Sequence, residues 1–214
     1  MHSKKLTPAL KKLVGLDKSL GTLVQRLGAP VLNASPLRSP YESLVCAIAH
    51  QQLHGKAAET ILGRFMALTS PPTAIPTPQE VSELTVEMMR SCGLSNSKVK
   101  SIKSIATFAL EGKIPNSQQI CNMSNDNIIQ ELVPIYGVGK WTVEMLLIFQ
   151  LERLDVWPVD DFGVRKGYQI WKKLTEMPTP KELSVIGEKW APYQTLVALM
   201  MWKVADAEKL KGKK

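Results

Sequence analysis

Two stretches decide the reading: Val133-Pro-Ile-Tyr-Gly-Val-Gly-Lys-Trp-Thr-Val-Glu-Met145, and after it Trp157-Pro-Val-Asp-Asp-Phe-Gly-Val-Arg165. Just upstream, Ile128, Ile129, Leu132 and Val133 recur at helical spacing within Asn125 to Val133. Pro134 falls near the end of that helix. Gly137 and Gly139 then bracket Val138, and glycine permits positive φ and the close approach of a partner. From Lys140 to Leu151 helical spacing returns, with Val143, Leu146, Leu147 and Phe149 apolar. The pattern is helix, tight glycine turn, helix. The first backbone N–H groups of the second helix have no intrahelical partner, and with the helix dipole they suit an anion. Lys140 adds a point charge there and Thr142 a hydroxyl. A lone G-x-G is an ordinary turn, so its company gives it meaning.

That company is Asp160 and Asp161, which precede a plausible helix from Phe162 to Trp171. Taken alone, an Asp at a helix start is an N-cap. Here one helix and one loop separate it from Gly139, enough chain to bring a carboxylate back toward whatever the turn grips. Upstream lies Ser39-Pro-Tyr-Glu-Ser-Leu-Val-Cys-Ala-Ile-Ala-His-Gln-Gln-Leu-His-Gly-Lys-Ala-Ala58. Leu44, Val45 and Ile48 make the buried face of its helix. Gln51-Gln-Leu-His54 ends it, with Gly55 as the stop. By spacing alone Leu53 reads as core and His54 as solvated surface.

These segments, in this order, resemble the helix-hairpin-helix superfamily of base-excision DNA glycosylases, in its 3-methyladenine (alkylated-base) branch. The resemblance implies an all-α, two-lobed fold with a cleft between the lobes. The hairpin then spans about 125–151, within a central lobe of 41–150, and residues 1–40 join 151–214 in the other lobe. It makes Asp161 the catalytic carboxylate, with Asp160 a neighbour or cap. Gly137, Val138, Gly139, Lys140 and Thr142 become the phosphate-binding turn, with a monovalent cation on the backbone of Val133, Ile135 and Val138 left open. Leu53 becomes a wedge that fills the gap left by an extruded nucleotide, flanked by Gln52 and by His54 in the minor groove. Trp202 stacks on the extruded base, with Trp141, Phe162 and Met145 as further walls. Trp157, Trp171 and Trp190 read as core aromatics.

The implied chemistry is hydrolysis of the N-glycosidic bond of alkylated purines of the 3-methyladenine and 7-methylguanine type in double-stranded DNA. The product is an abasic site. Relatives that also cut the strand carry a nucleophilic lysine where this chain has Trp141, so the resemblance implies a monofunctional enzyme, acting as a monomer. Two departures stand out: Gln194 where the family often has arginine, and Met145 where some relatives have an aromatic residue. They leave open a non-catalytic protein that binds damaged or abasic DNA. A glycosylase for mismatched or oxidised bases is the other alternative.

The balance of 27 basic and 19 acidic residues, formally +8 with a pI near 9.4, suits a polyanionic partner. Cys46, Cys92 and Cys121 are too few and too widely spaced for a zinc or iron–sulfur centre, so no cofactor is expected. Cys46, on an apolar helix face, reads as a core thiol. The odd count suits a reducing compartment. No apolar run reaches membrane-spanning length, and no secretory signal follows Met1-His-Ser-Lys-Lys. The expected setting is the bacterial cytoplasm or, in a eukaryote, the nucleus. Helices are expected near 7–14, 17–27, 41–53, 56–68, 79–91, 97–111, 125–133, 140–151, 162–174, 180–188 and 192–206, with no strand. Ser70 to Pro78 reads as a stiff, extended linker, and Glu208 to Lys214 as a frayed end.

Overall fold

In a computed structural model, residues 7–32, 38–53, 55–69 and 74–211 are described. Among them every regular element is helical. In chain order these are α1 (Pro8–Leu16), α2 (Lys18–Leu27), α3 (Pro40–His50), α4 (Gly55–Met66), α5 (Pro78–Glu83), α6 (Val86–Ser91), α7 (Asn96–Leu110), α8 (Ser117–Asn122), α9 (Asn125–Leu132), α10 (Lys140–Phe149), α11 (Phe162–Lys172), α12 (Pro180–Gly187) and α13 (Gln194–Lys211). A 3₁₀ turn, Glu188–Trp190, follows α12.

Local sequence starts most of these helices. Ser39, Thr77 and Thr179 each accept a backbone N–H three residues on, and Glu42, Glu80 and Glu182 reach back to close reciprocal capping boxes. Proline fills the first turn of all three helices, where its missing N–H costs nothing. The same chemistry, Asn116 with Gln119, starts α8, which apolar periodicity alone did not reveal. The expected helix 79–91 is two helices, because Thr85 caps a new start after Leu84 leaves helical geometry. The expected helix 41–53 ends at His50, and Gly55 opens α4 instead of stopping α3. Gln52 turns the chain between them at φ 56°. At the other end α13 continues to Lys211, beyond the expected 206. Of the supposed linker, residues 70–73 lie outside the described residues. Ile75 and Pro76 are buried, and the Pro76 carbonyl accepts a hydrogen bond from the Tyr41 hydroxyl at 2.8 Å.

The chain divides into two compact units, Ser35–Leu151 and the pairing of Met1–Ala34 with Glu152–Lys214. In the first, α3 packs on α4, α7 and α10, and α5 lies against α7. Leu44, Val45, Ile48, Val81, Ile102, Ile105, Val143 and Leu147 form its fully buried centre. Cys46 belongs to this core, and burial pushes its thiol above the usual cysteine range, as expected for an inert thiol. In the second unit α11 lies along α13, and α2 also touches α13. Trp190, fully buried, packs edge-on against Trp157 and stacks on Trp171. Trp157 Nε1 donates to the Leu183 carbonyl at 2.8 Å, so the loop preceding α11 is fastened to α12. Thr195 fastens the same loop to α13, accepting from Val156 N at 3.1 Å and donating to the Arg153 carbonyl at 2.7 Å. Asp17 caps α2 and holds Lys172 of α11 at 2.7 Å. Burial pushes its carboxyl up, but the hydrogen bonds and charge of Lys172 and Ser19 outweigh this and leave it below the usual range.

The α11–α13 contact depends on Gly167. A Cβ there would overlap the main-chain carbonyl of Met201, which cannot swing aside as a side-chain tip can. Gly167→Ala should therefore destabilise the protein by ~2 kcal/mol or more, as overpacking does. At this chain length that corresponds to a melting temperature lowered by ~4–8 °C. Thermal unfolding by circular dichroism checks this, and an unchanged melting temperature would show that the helices can separate without loss.

Candidate nucleic-acid interface and active-site carboxylate

The glycine turn sits between α9 and α10, and α7 shapes it. Gly137 adopts φ +83°, and a Cβ on it would overlap Ser101 Oγ on α7 and lie 2.8 Å from Ser101 Cβ. One turn along α7, Ser104 Oγ accepts the Tyr136 amide at 3.2 Å. Inside the turn, Val138 N donates to the Ile135 carbonyl at 3.0 Å and Ile135 N to the Leu132 carbonyl at 3.1 Å. The side chains of Ile135 and Val138 are buried, whereas Val133, expected on the apolar face, is exposed. The turn is thus closed by its own backbone and anchored by its two apolar residues.

The start of α10 differs from its neighbours. A Ser, Thr, Asp or Asn side chain closes the starts of α1 to α3, α5 to α9, α11 and α12. At α10 the cap is Gly139, with no side-chain hydrogen bond. A Cβ at Gly139 would meet nothing within 4 Å, so packing does not demand glycine there. As the cap it brings no side-chain acceptor to the first turn of the helix. Lys140 lies in that turn, exposed, with Nζ 3.7 Å from the carboxylate of buried Glu144. Thr142 departs from expectation: it is buried, and its Oγ1 accepts from Gln51 Nε2 at 3.2 Å instead of facing outward. Gln51 also donates to the Gly137 carbonyl at 3.3 Å. It ties the end of α3 to the glycine turn, a role that local sequence could not disclose because the partners are 86 and 91 positions away.

Beyond Gln51 the chain turns through exposed Gln52 to Leu53, which is 39% exposed. The core reading of Leu53 from spacing is therefore wrong. His54 lies outside the described residues. Met145 of α10 is half-buried and lines a pocket of about 340 Å³ with Ser43, Cys46 and His50 of α3 and with Phe149 and Gln150. Trp141 is 39% exposed on the first turn of α10.

In the other unit Asp161 is the N-cap of α11, and Asp160 lies exposed in the preceding turn. Asp161 Oδ1 accepts two hydrogen bonds, from Val164 N and from Trp202 Nε1, both at 2.8 Å. The carboxylate is held by its own helix start and by an indole of α13. Gly163 makes room for this pairing, since a Cβ there would stand 2.7 Å from Trp202 Cδ1. Trp202 is half-buried, and Phe162 beside Asp161 is 63% exposed. Gln194, where the resemblance suggested a missing arginine contact, donates to the Gly187 carbonyl at 3.1 Å. Among the described residues no group of three or more His, Cys, Asp or Glu side chains could hold a metal. No described helix is long and apolar enough to cross a membrane.

An all-helical chain with an uncapped glycine turn on one helix start and a fixed carboxylate on the next has the form of a DNA-repair glycosylase scaffold. The chain belongs to the HhH-GPD superfamily of base excision DNA repair proteins, which it matches over residues 45–192. It is 42% identical over 205 residues to DNA-3-methyladenine glycosylase 1 of Schizosaccharomyces pombe, covering 94% of this chain and 88% of that protein. The structure is similar to that of the 3-methyladenine DNA glycosylase of the same yeast in complex with abasic DNA. The TM-score is 0.85 with 41% identity, covering 92% of this chain and 96% of the other. It is also similar to a DNA-3-methyladenine glycosidase of Bacillus halodurans, with TM-score 0.83 and 31% identity over 96% and 92% of the two chains.

The turn supplies its own test. Gly137→Ala meets both the positive-φ penalty and the Ser101 side chain, and should cost ~2 kcal/mol or more. Adding Ser101→Gly removes the overlap but not the φ penalty, so it should return only part of the loss. Urea unfolding of the single and double variants measures this. Equal stability of Gly137→Ala and the native chain would mean that α7 does not hold the turn.

Proposed function

We propose that this chain is a monofunctional DNA-3-methyladenine glycosylase that flips alkylated purines out of duplex DNA and hydrolyses their N-glycosidic bond. The observation that carries the reading is the Asp161 carboxylate, fixed by the Val164 amide and the Trp202 indole. Membership in a base-excision family supports it, as does the likeness to named 3-methyladenine glycosylases along nearly the whole chain.

The first amides of α10 and Lys140 bind a backbone phosphate by dipole and charge. Leu53 enters the stack as the nucleotide leaves it. Extrusion costs a few kcal/mol, least for a damaged base. Trp202 and Phe162, beside Asp161, offer aromatic faces to the extruded base, and such faces attract the positive charge of an alkylated purine. The bond between sugar C1′ and the base nitrogen breaks with the electron pair leaving on the base. Positive charge develops on the sugar as in glycoside hydrolysis. Asp161, ionised and already oriented, stabilises that charge without reorganising. Water then adds at C1′ and releases a proton, leaving the abasic site. An alkylated base is a good leaving group, so a single carboxylate suffices. Trp141 occupies the place of a Schiff-base lysine, so no strand cleavage accompanies excision. The working partner is alkylated double-stranded DNA, bound by a monomer, in the nucleus of a eukaryote or beside the bacterial nucleoid.

Single-turnover release of 3-methyladenine from methylated duplex tests the reading. Asp161→Asn keeps an N-cap residue and so keeps the fold. It should bind DNA normally and excise ~100-fold more slowly. Normal excision by this variant would overturn the assignment of Asp161. No release by the native chain, with tight binding to abasic DNA, would instead establish a damage-binding protein. Trp202→Phe deletes the donor to Asp161 but keeps an aromatic face. A lost hydrogen bond to a charged group should slow excision ~10-fold at saturating enzyme. An unchanged rate would show that the indole N–H does not position the carboxylate.

A further inference from the structure

Helix α7 carries three lysines on its first two turns, and they are used differently. Lys98 Nζ donates to the Ala49 carbonyl near the end of α3 at 2.8 Å. Lys103 Nζ donates to the Leu84 carbonyl at the end of α5, also at 2.8 Å. Both charges are committed to helix ends. Lys100 instead lies over the ring of Tyr136, with Nζ 4.1 Å from its centroid. Among the described residues it forms no ion pair. Tyr136 is 45% exposed and immediately precedes Gly137. Its amide is pinned to Ser104, which places the residue at the edge of the glycine turn.

This placement matters because of what neutralises the cation inside the turn. Lys140 stands 3.7 Å from buried Glu144, which offsets part of its charge. Among the described residues no such counter-charge pairs with Lys100. An ammonium resting on an aromatic face still directs N–H groups outward. Ser101, next to Lys100, is the residue on which Gly137 closes, so the cation and the turn share one rigid support.

We propose that Lys100, held on the Tyr136 ring, is a second phosphate contact that extends the grip of the glycine turn along the DNA strand. This rests on the reading of the chain as a DNA-binding glycosylase. Lys100 is a DNA-binding residue, and the excision step itself does not use it.

The test is binding of the native protein and variants to a duplex carrying a stable abasic analogue, over a series of salt concentrations. Removing one phosphate contact reduces the slope of log K against log salt by about 0.9, which at 0.1 M salt is about an 8-fold loss of affinity. Lys100→Ala should show that loss of slope. Lys100→Arg should retain it, because the guanidinium also stacks on aromatic faces and binds phosphate. Tyr136→Phe should behave as native. Tyr136→Ala should lose part of the affinity, and adding it to Lys100→Ala should cost little more. A native slope in Lys100→Ala, with native binding intact, overturns this inference alone. A native protein that fails to bind the duplex at low salt overturns the functional reading with it.

Discussion

The turn between α9 and α10 exists in this form because residue 137 has no side chain. Ser101 on α7 occupies the space a Cβ would need, and the backbone at that point has positive φ. Both conditions select glycine, one through packing and one through backbone sterics. The rest of the turn is referred to this contact. It sets where the α10 amides face, where Tyr136 projects and which carbonyl Gln51 reaches. The turn needs no side-chain cap, since Gln51, Ser101 and Ser104 brace it from helices distant in sequence.

The other unit applies the same device to a different end. Glycines at 163 and 167 let α13 approach α11 closely enough for Trp202 to reach Asp161. Asp161 is at once the N-cap of α11 and the acceptor of an indole N–H. Local capping and long-range packing therefore converge on one carboxylate. A group with two fixed donors has little freedom to reorient, and that rigidity is what electrostatic stabilisation of a developing charge requires. The N-cap reading and the catalytic reading of Asp161 are compatible, because the oxygen that caps α11 also accepts the Trp202 indole N–H.

Much of this was legible in the residues. Apolar spacing located eleven helical regions, and the glycine pair marked the turn. The Asp before Phe162 identified a helix start that proved to be capped by it. Capping chemistry would have improved the reading. The Asn116–Gln119 pair announces α8, and Thr85 announces the break between α5 and α6. Periodicity missed both because helices of six residues contain too few apolar positions to establish a period. The turn at Gln52 was missed for another reason: its φ of 56° is imposed on a residue that does not ordinarily advertise it.

Local composition therefore determined which segments are helical, where most of them begin, and where the glycine turn falls. Those properties arise from caps, glycines and periodicity within a few residues. Tertiary structure decided what each functional side chain faces. It turned the Thr142 hydroxyl inward to Gln51, set Lys140 against a buried carboxylate, left Leu53 exposed and brought an indole to Asp161 across 41 positions. Such pairings depend on helices meeting through close packing. No short-range rule encodes which residues will lie opposite one another when they do.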